Sequence, residues 1–373
     1  MKIELYRHCL GHDEIEQAMD ALQRPLLCSS DRVTRLESGL AQVLGVRHCV
    51  AVNNNTNAIT LALHALDVGR DHEVILSPLS PLETVSAIMH AGAKPAFVDV
   101  EPDTGNINAE RIEASITPQT KAIVPMHLYG QMADMAMLRE IADRSHLLLI
   151  EDASHCLEGR REGVRPGQLS DAACLGFHST ANISAGQGAA IVLNDSDLAQ
   201  RLRRLRNLSV SETQADRCDC LHMPCDIDAL GFDSEMDDLR AALLLPQLRR
   251  IEELWSRRDE ICKRYEKAFD RIENVYFPRV RPGSKSARNL FTIWVEASRR
   301  HEIIQQLGER GVGTGVFFRP LHLHTYLRQE LGYQPSDFLV AESIGARSIA
   351  LPLYPDLTQP QVEYVIEQVR AVV

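Results

Sequence analysis

Residues 49–66 read CVAVNNNTNAITLALHAL. The β-branched run CVAV at 49–52 gives way to five short polar residues, Asn53, Asn54, Asn55, Thr56 and Asn57, and then to apolar residues at helical spacing over 56–66. That order is a strand, a tight junction and a helix, the first part of a βα unit. Free N–H groups at a helix start carry partial positive charge, so the junction reads as an anion site. It reads equally well as a plain N-cap with turn residues.

The unit recurs on the C-terminal side. Further strand-like runs are EVIL at 73–76, PAFVDV at 95–100, KAIVPM at 121–126, HLLLIED at 146–152 and AAIVL at 189–193, with helical spacing over 82–91 and 133–144. Such alternation predicts an α/β fold, doubly wound around a mainly parallel sheet. Residues 210–233 are polar, cysteine-rich and without period. A long amphipathic helical region then covers 236–272, with a break expected near Pro246. Strands over 290–295 and 315–318 and helices over 299–310 and 359–372 suggest a smaller C-terminal α+β domain. The division expected is 1–235 for the large domain and 236–373 for the small one, which includes the long connecting helix.

A chain of 373 residues with 45% hydrophobic and 24% charged residues has the usage of a folded globular protein, not of a disordered or collagenous one. Lys plus Arg is 40 and Asp plus Glu 51, so the net charge of −11 gives no general attraction to nucleic acid or anionic lipid. No apolar run approaches the roughly 18 residues of a membrane span, and the first residues lack an apolar leader core. The reading expects a cytoplasmic protein with no nucleic-acid or membrane partner. Cys49, Cys156, Cys174 and Cys262 lie singly in apolar segments, where a thiol packs as a small hydrophobe.

Several residues carry chemistry. Asp152 ends the run HLLLI, where an α/β sheet presents its ligand sites, and reads either as a partner for a cationic ligand group or as a capping carboxylate. GFHSTANISAGQGAAIVLND at 176–195 is a polar, glycine-rich loop leading into a strand. Cys218, Cys220, His222 and Cys225 form C-x-C-x-H-x-x-C, soft ligands enough for zinc or an iron–sulfur cluster, though the spacing is no standard metal motif.

In order and spacing, AVNNNTNAITLALHAL, AGAKPAFVDVEPDTGNI, ITPQTKAIVPMHLYGQMADM, LLLIEDASH, FHSTANIS, GVGTGVFFRPLH and LPLYPDLT resemble the signature blocks of the DegT/DnrJ/EryC1/StrS family. These are pyridoxal-phosphate (PLP) nucleotide-sugar aminotransferases of fold type I, the aspartate aminotransferase fold, and the resemblance runs from about residue 14 to 368. The C-terminal blocks are most similar to the enzymes that aminate a UDP-4-keto-pentose. The resemblance implies PLP or pyridoxamine phosphate (PMP) as cofactor, a nucleotide-sugar substrate and a homodimer. It gives Asp152 to the cofactor's pyridinium nitrogen, His155 to the flank of the ring, and Asn55, Thr56 and Asn57 to the phosphate. Arg319 and His322 match a segment on the sugar-nucleotide side of the cleft. His127 and Tyr129 are read as structural.

The pattern breaks at Ala181, which holds the position of the family's Schiff-base lysine. That lysine binds the cofactor covalently and moves a proton between two carbons; a methyl group does neither. The family's phosphate-binding serine falls on Gly176 and its ring-stacking aromatic on Pro81. A phosphate-side asparagine falls on Glu235, where a carboxylate would repel a phosphate by roughly 4 kcal/mol per charge pair at about 4 Å and an effective dielectric of about 20. These losses point to a protein impaired in transamination that serves as a nucleotide-sugar-binding or partner subunit, homodimeric or paired with an active paralogue. Three alternatives stand beside it. One is an active or dehydratase-like enzyme using PLP or PMP without a covalent link, with His155 or His178 carrying the proton. Another is a deliberate Lys-to-Ala change in an active enzyme, and the third is a metal-binding protein built on the 218–225 loop.

Overall fold

The computed structural model describes residues 1–28, 31–210, 226–227 and 229–373. The opening strand forms as β1 (His48–Val52), and its side chains alternate between two apolar environments. Val50 and Val52 join a core with Ile59, Leu63 and Ile191, while Cys49 and Ala51 join another with Leu36, Leu40 and Val192. A strand buried on both faces reads as a continuous apolar run rather than an alternating one. The junction is capped as its polar residues predict. The Asn54 side chain accepts from Asn57 N at 2.8 Å and opens the helix Asn55–Ala65.

The remaining strands of this sheet are β2 (Glu73–Leu76), β3 (Lys94–Phe97), β4 (Thr120–Val124), β5 (Leu148–Asp152), β6 (Ala172–Gly176) and β7 (Ala189–Leu193). Their order is β1-β7-β6-β5-β4-β2-β3. β2 is parallel to β3 and β4, β4 to β5, and β5 to β6; β7 alone in this sheet runs antiparallel to both of its neighbours. The mainly parallel α/β sheet is therefore as expected. Alternate residues of β2, β4 and β5 face different cores, with Val74, Val124 and Ile150 on one side and Ile75, Ile123 and Leu149 on the other. Helices cover both faces.

A separate core forms around Tyr265, Phe269, Phe291, Ile293, Ile349, Leu351, Val365 and Val369, and Ile3 from the start of the chain joins it. Its antiparallel pair is β8 (Phe291–Trp294) with β9 (Ser348–Leu351), in register Phe291↔Leu351 through Trp294↔Ser348.

Two local expectations are corrected. Residues 315–318 form no ladder; Gly315 makes a single bridge to Ala350. The Phe317 carbonyl instead accepts from the Tyr129 hydroxyl at 2.6 Å and from Ser348 Oγ at 3.3 Å, so side chains take the place of a strand partner. Pro246 also does not break its helix, Asp238–Arg249; the chain turns at Arg250, and a second helix runs Ile251–Phe269. Pro246 is buried, and Gln247 beside it donates to the Ser184 and Leu243 carbonyls at 2.8 and 2.7 Å. Tertiary packing here outweighs the lost backbone donor.

Candidate active site

β1, β5 and β6 run the same way, so their carboxyl ends bring residues 53–57, Asp152 and Gly176 to one edge of the sheet. A cavity of about 740 Å³ opens there. Its wall includes Asn53, Asn54, Asn55, Thr56, Asn57, Pro81, His155, Gly176, His178 and Ala181. Nine of the residues singled out from sequence therefore meet at one place: eight of these ten wall residues, namely Asn55, Thr56, Asn57, Pro81, His155, Gly176, His178 and Ala181, with Asp152 at the neighbouring strand end.

Asp152 is fully buried. Its Oδ2 accepts from the Thr84 hydroxyl, and its Oδ1 accepts from Ser154 N at 3.1 Å and Ser154 Oγ at 2.6 Å. Donors of this kind hold a carboxylate in place, and Oδ2, with one donor, has capacity for a further one. The strand below is braced by a second buried pair. His127 Nε2 lies 2.6 Å from Glu151 Oε2, while His127 Nδ1 accepts from Ala133 N at 3.2 Å, which makes Nε2 the protonated nitrogen. His127 is structural, and so is Tyr129 through its bond to Phe317.

The His155 ring stacks on Phe318 at 6.1 Å and 22°. Burial pushes its pKa down to about 4 against the opposing pull of Asp152, so the ring is neutral at pH 7. Its Nδ1 is buried without a hydrogen-bond partner, and so is Asn55 Oδ1. At the helix start, Asn57 Nδ2 donates to Asn53 Oδ1 at 2.9 Å, and Asn57 N is taken by Asn54. The backbone N–H groups of Asn55 and Thr56, in the first turn, have no acceptor within the helix.

Ala181 is buried in the loop between β6 and β7. Its N–H donates to the His178 carbonyl at 2.8 Å, and its carbonyl accepts from Tyr6 Oη at 2.8 Å. Asn182 anchors the next position by donating to Glu158 Oε2 and the Ala287 carbonyl, at 2.5 and 2.8 Å. Glu158 in turn pairs with Arg258 at 2.5 Å, both side chains buried. At Gly176 an added Cβ would lie 3.0 Å from Ser154 Cβ, so Ser154 already fills that space.

Other expected residues stand elsewhere. Arg319 is exposed and donates to the Leu323 carbonyl at 2.9 Å; His322 is fully buried, 3.1 Å from Glu342 Oε1 and edge-on to Phe338. Neither is on the cavity wall. Glu235 bridges to Val52 and faces Arg206 Nε at 3.9 Å, and it too is off the wall, so its charge is not presented to an anion in the cavity. Cys218, Cys220, His222 and Cys225 lie outside the described residues; among the described residues no group of three or more His, Cys, Asp or Glu could hold a metal. Residues that sequence reasoning passed over include Thr84 and Ser154 on Asp152, and Phe317, Phe318, His90, Gln187 and Arg240 on the wall. Nothing in their local patterns marks them; the fold alone assembles them.

The family model of the DegT/DnrJ/EryC1/StrS aminotransferases matches residues 8–370. The chain belongs to this family. Among DegT/DnrJ/EryC1/StrS relatives, it is 35% identical over 370 residues to the spore coat polysaccharide biosynthesis protein SpsC of Bacillus subtilis (strain 168), covering 98% of this chain and 95% of that one. It is 35% identical over 366 residues to the dTDP-3-amino-3,4,6-trideoxy-alpha-D-glucose transaminase of Micromonospora megalomicea subsp. nigra, covering 95% of this chain and 94% of that one. In structure it is similar to the PLP form of the putative sugar aminotransferase Spr1654 of Streptococcus pneumoniae, with a TM-score of 0.93 and 25% identity, covering all of this chain and 98% of that one. The aminotransferase fold of the family is thus the fold of this chain.

Proposed function

We propose that this chain is a nucleotide-sugar-binding member of its family that has lost lysine-dependent transamination. One observation carries the reading. Ala181, to which the resemblance gives the lysine's position, lines the cavity, and no lysine is among the described residues on its wall.

A phosphorylated pyridine cofactor, PLP or PMP, still fits the cavity without a covalent link. Asn55 Oδ1 and His155 Nδ1 are buried polar atoms with no protein partner, left for a bound molecule to satisfy. Asn55, Thr56 and Asn57 would hold the phosphate at the helix start, Asp152 the ring nitrogen, and neutral His155 the ring's flank. Pro81 and Gly176 add contact there but no aromatic clamp and no hydroxyl. When bound, the cofactor supplies an electron sink. The chain's own residues then orient it, and His155 and His178, with His90 and Glu83, are the groups on the wall able to take a proton. A homodimer, as the family resemblance implies, completes the proposal.

The test is to incubate the purified chain with PLP, reduce with borohydride and map any attached cofactor by mass spectrometry. No adduct is expected at residue 181, alongside measurable non-covalent binding of PMP and of a sugar nucleotide. Transamination of a keto-sugar nucleotide by the unmodified chain would overturn the reading.

A further inference from the structure

Among the described residues lining the cavity, one carries a fixed positive charge: Arg240. Glu83 is the carboxylate on the same wall, and His90 and His178 are exposed there. A phosphate ester arriving with nearly two negative charges needs more than neutral amides to meet it. The lysine is gone, and Gly176 offers no hydroxyl.

Arg240 reaches the wall from the third position of the helix Asp238–Arg249. That helix begins beside the polar junction, because Val52 bridges to Glu235 and Asn53 N donates to the Ser234 carbonyl at 2.9 Å. The guanidinium is partly buried, and its Nη1 lies 2.8 Å from Asp237 Oδ2. Asp237 has a second duty, since its Oδ1 caps the helix by accepting from Arg240 N at 2.8 Å. An i,i+3 pair as open to solvent as this one is weak and yields readily to a stronger acceptor. Nε and Nη2 have no partner among the described residues, so the guanidinium can offer a fork of donors to a tetrahedral anion while still touching Asp237.

We infer that Arg240 is a phosphate-binding residue of the cavity, supplying the charge for a phosphate ester held at the Asn55–Ala65 helix start. Asp237 competes for it and thereby limits the affinity. The inference rests on the reading above that the cavity takes a phosphorylated ligand.

Isothermal titration of the full chain with PMP, pyridoxamine and inorganic phosphate tests it in the wild type, Arg240→Gln and Asp237→Asn. Arg240→Gln should weaken PMP about tenfold or more, the loss of one charge-assisted contact, and leave pyridoxamine unchanged. Asp237→Asn keeps a capping oxygen while removing the competing charge, so it should tighten PMP by a few-fold. Opposite signs from two members of one ion pair do not arise if the pair is merely structural. Equal PMP affinity in Arg240→Gln and wild type would overturn the assignment, as would equal weakening of PMP and pyridoxamine. Wild type that binds phosphate but not PMP would overturn the cofactor reading and leave Arg240 to be judged by the phosphate titration. Wild type that binds neither would overturn both.

Discussion

The hydroxyl of Tyr6 donates to the carbonyl of Ala181 at 2.8 Å across 175 positions of chain. The N-terminal segment is thus tied to the loop between β6 and β7 that lines the cavity. Tyr6→Phe removes this bond and little else, so it should cost about 0.5–1.5 kcal/mol. Urea unfolding checks the magnitude. Faster amide exchange within residues 178–182 should accompany it, and unchanged exchange there would show that the bond does not restrain the loop.

His155 should make stability depend on pH. Its folded pKa, about 4, lies below its ordinary value of 6.5, so the unfolded chain binds the extra proton first. The stabilisation is fully present above pH 6.5 and is lost as pH falls toward 4, by on the order of 3 kcal/mol when complete. Denaturation midpoints measured across this window should fall with pH in the wild type and more gently in His155→Gln. Parallel profiles would count against the assignment.

Placing a serine at position 176, where the resemblance puts the phosphate-binding one, should be unfavourable here. The new Cβ would lie 3.0 Å from Ser154 Cβ, inside ordinary contact, and Ser154 is held in place by Asp152. Gly176→Ser alone should destabilise by roughly 1–3 kcal/mol, the usual range for overpacking. Gly176→Ser with Ser154→Gly should recover most of it. A thermal-melt comparison decides, and non-recovery in the double variant would place the strain elsewhere.

On the proposed reading, Ala181→Lys supplies an amine to the cavity but no aromatic at 81 and no hydroxyl at 176. The backbone at 181 is well fixed by Tyr6, His178 and the Asn182–Glu158–Arg258 network, so PLP should become reducible onto the new lysine. Transamination should stay near background because positioning, not the amine alone, sets the rate. Turnover at ordinary aminotransferase rates would mean that the rest of the site is intact.

The sheet was legible in sequence wherever a strand is apolar on both faces, as in CVAV and HLLLI. β6 was not, because AACLG is alanine-rich and becomes a strand through partners on both sides, Ile150↔Ala172 and Gly176↔Ala189. The cavity's floor was legible at 53–57 and at Asp152, where polar residues follow apolar runs. Its other wall was not. Phe317 and Phe318 looked like a strand because their aromatic side chains favour one, and only the contacts of Tyr129 and Ser348 show what their backbone does. Arg319 and His322 share that motif yet turn away from the cavity, since neighbours in sequence need not share a direction.

The reversed direction of β7 has a bearing on how such a site changes over time. Antiparallel neighbours can be joined without crossing the sheet, whereas a parallel pair needs a connection that travels to the other end and back. Residues 177–188 therefore leave and re-enter the sheet at the same rim, anchored at both feet by Gly176↔Ala189. Such a loop is an exchangeable insert. Apart from Phe177 and Ile183, which belong to the core beneath, its side chains can be replaced without altering strand order or register, so the chemistry presented at this rim can change while the surrounding architecture is inherited whole.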